Sequence, residues 1–108
     1  GKFGKEIILF CKKIPQNVVT TPLISQLVRS GTSVGANYCE ADCAETTKDF
    51  VHKLGISKKE SKETKHWLGM IATAVPELQT QCTILLKEAN ELNLIFSAII
   101  NKIKVHHL

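Results

Sequence analysis

Residues 46–76 read TTKDFVHKLGISKKESKETKHWLGMIATAVP. Within them Phe50, Leu54, Ser57, Ser61, Thr64, Leu68, Ile71 and Val75 recur at alternating steps of four and three. That period lines all of them along one face of an α-helix. Thr46, with Asp49 three residues later, resembles a capping box and marks the start. Pro76 cannot continue a helix and marks the stop. A helix of about 28 residues is therefore expected, about 40 Å long.

The same period extends outward in both directions. Upstream, Ile24, Leu27, Gly31, Val34, Tyr38 and Ala41 step by three and four, after Thr20-Thr21-Pro22. A Thr cap with Pro22 at the first helical position is a start signal, and this helix should run to about residue 44. Before it, Phe3, Ile7, Phe10 and Ile14 form a shorter stripe closed by Pro15. Downstream, Leu78, Cys82, Leu85, Ala89, Leu92, Phe96, Ile99 and Ile103 form a fourth stripe. No segment alternates with the period of two that marks a half-buried strand. Four stripes with short connections predict an all-α protein, an antiparallel up-down-up-down four-helix bundle. The 108 residues suffice for one domain, spanning 1–108.

Composition narrows the function classes. The net charge is +4 with a pI near 9.0, which permits a nucleic-acid partner without requiring one. No apolar run is long enough to cross a membrane, and the basic N-terminus lacks the apolar core of a signal peptide. A cytoplasmic location is expected. Cys11, Cys39, Cys43 and Cys82 form no CxxC pair and each falls in a helical apolar pattern, so they read as reduced small hydrophobes. Neither a metal site nor a cofactor is expected.

The middle of the second helix is unusual. Arg29-Ser30-Gly31-Thr32-Ser33-Val34-Gly35-Ala36-Asn37 is a poor helix former. Gly31 and Gly35 share a face, and the third helix carries small residues at Ser57, Ser61 and Thr64. Close packing of these two helices through small residues is the expected reason; a polar pocket or a subunit contact is the alternative. Arg29, Ser33, Asn37 and Glu40 make a polar stripe on one helix. Asp49, Lys53, Glu60, Glu63 and Trp67 make another on the next. Antiparallel packing should bring Arg29 to Glu60 or Glu63 as a fork-shaped contact.

Three long motifs carry a family resemblance. They are residues 26–41 (QLVRSGTSVGANYCEA), residues 48–54 (KDFVHKL) and residues 59–68 (KESKETKHWL), with a similar tail from Glu88 to Ile100. Together they resemble the proteins encoded in intervening sequences of 23S ribosomal RNA genes, over nearly the whole chain. The resemblance implies a four-helix bundle, a ring-like homopentamer and no established catalytic residue. A distant branch of that family is the accessory protein of diversity-generating retroelements, which works beside a reverse transcriptase and has a basic nucleic-acid-binding surface. Ser57 and Ser61 stand where the family often has Ala.

The third helix holds six of the fourteen Lys and Arg residues. Lys48, His52, Lys59 and His66 share one outer face, and Lys58, Lys62 and Lys65 form a neighbouring ridge. These seven are the candidate nucleic-acid-binding residues, and the absence of interleaved aromatics predicts binding to the phosphate backbone rather than to bases. Arg29, Gly31, Ser33, Gly35, Asn37, Glu60, Glu63 and Trp67 are assigned to helix packing or to an interface. The partners expected are a second copy of the chain, RNA or another nucleic acid, and, in the alternative reading, a protein that docks on the assembly. An enzyme is the least supported class: Glu63-Thr64-Lys65-His66 has the Glu-x-x-His spacing of a di-metal bundle once only, beside lysines that repel a cation.

Overall fold

The computed structural model describes residues 1–107; Leu108, the last residue of the expected domain, and the side chain of His107 lie outside the described residues. The described chain forms α1 (Lys2–Cys11), α2 (Thr20–Asp42), α3 (Thr47–Ala74) and α4 (Gln79–His107), with one 3-10 turn at Pro76–Leu78. The bundle measures 48 × 20 × 19 Å. Helix α3 packs against α2 on one side and α4 on the other, while α1 lies on α2 and reaches α4 at its edge.

The start of α3 follows its local signal: Thr46 is extended, and its side chain accepts the Asp49 backbone N–H. The start of α2 does not. Neither Thr20 nor Thr21 is the cap; Val19 precedes the helix and makes no side-chain cap bond. Asn17 Oδ1 accepts the backbone N–H groups of Val19 and Thr20, and Thr20 Oγ1 accepts that of Asn17 in return. This reciprocal pair satisfies three donors that would otherwise be orphaned. Thr20 also donates to the Pro15 carbonyl and is buried, which pins the α1–α2 connection. Pro22 stands in the first turn of α2, just after Thr21, whose N–H bonds the Asn17 carbonyl.

Two apolar clusters fill the bundle. One joins Ile7, Phe10, Leu27, Leu68, Ile71 and Leu85; the other joins Val34, Ala41, Leu54, Phe96 and Ile100. Between them along α3 lies a layer of buried hydroxyls, Ser57, Ser61 and Thr64, met by Ser30 of α2. Ser57 donates to the Val34 carbonyl at 2.9 Å, and Thr64 donates to Ser30 Oγ at 3.1 Å. Ser61 turns the other way, accepting from Asn93 of α4 at 3.2 Å. No buried side-chain polar atom is left without a partner among the described residues. Hydroxyls are therefore tolerated here because each has a hydrogen bond.

The expected glycine packing needs correction. Gly31 and Gly35 face α1 rather than α3. A Cβ on Gly31 would lie 2.8 Å from Ile7, and one on Gly35 would lie 3.2 Å from the Gly1 nitrogen. Ser30, one residue away, is what faces α3. Tyr38 and Ile99 also depart from their stripes. Tyr38 is 43% exposed, its ring tilted 6.0 Å from Phe96. Ile100 rather than Ile99 enters the core, because the true helical period drifts from 3.5 over a long helix. Cys39 and Cys43 are exposed, while Cys11 and Cys82 are buried. No described helix is long and apolar enough to cross a membrane.

Candidate nucleic-acid interface

Helix α3 has both flanks covered, which leaves one face to water. The residues on it are Lys48, His52, Lys58, Lys59, Lys62 and His66, all exposed. The helix has no acidic residue between Asp49 and Glu60. None of these six takes part in an ion pair among the described residues, whose salt bridges involve Lys2, Arg29 and Lys53. The positive charge of the face is thus not neutralised within the chain. At about 1.5 Å per residue the face extends about 27 Å from Lys48 to His66.

Lys65 does not join it. Its ammonium donates to Asn90 Oδ1 of α4 at 2.8 Å, and its stem is partly buried. Lys65 is a bundle contact, not a free cation. Nearby, Asn93 donates to the Lys58 carbonyl at 3.0 Å, a second polar tie between α3 and α4. Asn93 was not among the residues singled out from the sequence; an Asn three places after Asn90 on the same helix was the only available hint.

The other flank of α3 holds its acids. Arg29 Nη1 donates to Glu60 at 3.1 Å and its Nη2 to Glu63. Arg29 thus bridges both carboxylates instead of choosing one. Gln26 accepts from Arg29 Nε, and Trp67 Nε1 donates to the same Glu63 oxygen at 3.3 Å. Burial works against the Arg29 charge, but Glu60 and Glu63 hold its pKa above the ordinary value. His66 stacks edge-on to Trp67 at 4.7 Å. Ser33 and Asn37 bond to carbonyls of their own helix, and Glu40 pairs with Lys53 at 2.7 Å. Asp49, at the start of α3, takes no part in this cluster. No group of three or more His, Cys, Asp and Glu suited to a metal stands among the described residues.

The arrangement therefore sorts the middle of α3 by charge: Glu60 and Glu63 toward α2, engaged by Arg29, and Lys58, Lys59 and Lys62 outward. The family model for the 23S rRNA-intervening sequence protein matches residues 1–98, which takes in α1 to α3 and most of α4.

The chain belongs to the 23S rRNA-intervening sequence protein family.

A solved structure gives the same architecture. It is the crystal structure of a protein of unknown function from the S23 ribosomal protein family of Bacteroides thetaiotaomicron VPI-5482. The chain is 31% identical to it, covers 92% of each chain and superposes with a TM-score of 0.81. A comparison with curated proteins found no match. The intervening-sequence family thus accounts for the fold, an all-α up-down bundle, and assigns no activity to it.

Proposed function

We propose that this member of the family is a non-enzymatic, homo-oligomeric protein that binds RNA or another nucleic acid through the outer face of α3. The observation that carries the reading is the run of exposed basic side chains Lys48, His52, Lys58, Lys59, Lys62 and His66 without an intrachain counter-ion. Unneutralised lysines on a rigid helix attract phosphates and release counter-ions from them. Repetition of the face around a homopentamer, which the family resemblance suggests, would multiply that field. The face has no Phe, Tyr or Trp, so backbone contacts and weak sequence preference follow.

A protein contact has its own support. Ile84, Leu94, Ile95 and Val105 of α4 are each more than half exposed. They suit a contact with a second copy or with a docked protein. Gly31 and Gly35, considered above for such a contact, are occupied by α1.

Fluorescence anisotropy with a labelled RNA hairpin and a labelled DNA duplex, from low to physiological salt, tests the reading. Sizing by light scattering belongs in the same buffer. Binding whose logarithm falls linearly with the logarithm of salt is expected, with a slope smaller by about one in Lys59→Gln. No binding at low salt would remove the nucleic-acid reading and leave the protein scaffold.

A further inference from the structure

Gly55 lies in the interior of α3 on its solvent face, where glycine is disfavoured relative to alanine. Nothing inside the chain requires it. A Cβ there would meet no atom within 4 Å, whereas the same atom on Gly31 would strike Ile7. The side chains that surround a helical position stand three and four residues away. For Gly55 these are Val51, His52, Lys58 and Lys59. Val51 packs toward the apolar cluster of Val34, Leu54 and Phe96, while His52, Lys58 and Lys59 are exposed and without ion-pair partners among the described residues. Lys48 and Lys62 each stand seven residues from Gly55, about 10 Å along the same face. Gly55 is thus a stretch of bare backbone flanked by two lysines and a histidine.

We infer that a phosphate group of a polynucleotide strand seats directly over Gly55, held between His52, Lys58 and Lys59. This deepens the nucleic-acid reading above and rests on it. The missing Cβ lets the phosphate approach the helix until all three side chains reach it. Lys48 and Lys62 lie too far away to serve the same phosphate, so they meet others of the same strand, which favours a polymer over a single phosphate or nucleotide. A second copy of this face does not fit, because it would oppose lysine to lysine.

Gly55→Ala separates the possibilities, because it fills the seat without altering charge. The measurements are melting temperature and anisotropy with a labelled RNA hairpin at low salt, with Gly69→Ala as the control. Gly69 also has no atom within 4 Å on α3, but its surroundings are Lys65, which is turned to Asn90, His66, Ala72 and Thr73, so no free lysine stands three or four residues from it. Both variants should melt higher than the parent protein. Gly55→Ala should bind about three- to tenfold more weakly with an unchanged salt slope, and Gly69→Ala should bind as the parent does. Undiminished binding by a folded Gly55→Ala protein would overturn the seat while leaving the lysine face intact. Failure of the parent protein to bind any hairpin would overturn both this inference and the reading beneath it.

Discussion

Ile7 of α1 occupies the space that a side chain at Gly31 of α2 would need: a Cβ there would lie 2.8 Å from its Cγ2 and 2.9 Å from its Cγ1. Ile7 is itself fully buried, so it cannot swing away. Two effects then oppose each other in Gly31→Ala. Helix propensity favours alanine by about 1 kcal/mol, and overpacking of a closed core costs about 1–3 kcal/mol. The packing cost should win, lowering the urea midpoint of unfolding. Gly69→Ala, with nothing within 4 Å, should raise it. Shortening Ile7 to Ala should lessen the damage of Gly31→Ala, so the double variant is less destabilised than the sum of the singles. Equal gains from alanine at 31 and at 69 would refute the packing account.

Arg29 is the counter-ion for a carboxylate that has little water. Glu60 is 7% exposed, whereas the Arg29 side chain is about half exposed. Replacement by Met keeps much of the apolar stem and removes the charge. Because solvent screens the outer end of the pair, a loss of about 1–3 kcal/mol is expected rather than that of a fully buried bridge. Adding Glu60→Gln should recover part of it, since the stranded charge is then gone. Thermal melts of the two singles and the double variant form the cycle. An unchanged melting temperature in Arg29→Met, with unchanged oligomer size, would show that the fork adds nothing to stability.

Burial pushes the Cys11 thiol up to about 11, from 9.0, and neighbouring Cys82 adds to the shift; burial raises the Cys82 thiol as well. A thiol whose folded pKa exceeds its unfolded one stabilises the fold below the unfolded value. That contribution disappears as pH rises through the folded value. Stability should therefore fall between pH 9 and about 11 more steeply in the parent than in Cys11→Ala. In the native protein a disulfide thiol reagent should modify the exposed Cys39 and Cys43 quickly, and Cys11 and Cys82 only after unfolding. Four thiols reacting at one fast rate would contradict the burial of the inner pair.

Most of the bundle could be read from local patterns because those patterns are themselves physical causes. The Phe50-to-Val75 stripe must lie on one helical face, and α3 runs Thr47–Ala74 as its length and stop signals require. Thr46 caps that helix through a bond confined to three residues, which a four-residue window displays. The Asn17–Thr20 cap is equally local, but Thr20-Thr21-Pro22 offered a second cap of ordinary chemistry. Burial of Thr20 against the Pro15 carbonyl decided between them. The site divides in the same manner. The outward lysines of α3 follow from helical period alone. Withdrawal of Lys65 to Asn90 depends on a residue 25 positions away.

The sequence by itself determined the number of helices, their approximate ends, the all-α class and the basic character of α3. Each of these is settled within one or two turns, by side-chain period, caps and prolines. Only the tertiary structure decided which neighbour each face meets. Gly31 and Ser30 are adjacent in sequence yet face different helices, one toward Ile7 and the other toward Thr64. A rotation of about 100° per residue separates them, and no local signal says which helix waits on either side. That assignment comes from filling space around all four helices at once, and it turned Lys53 to Glu40 and Lys65 to Asn90, left Lys48, Lys58, Lys59 and Lys62 outward, and gave Glu60 and Glu63 to Arg29.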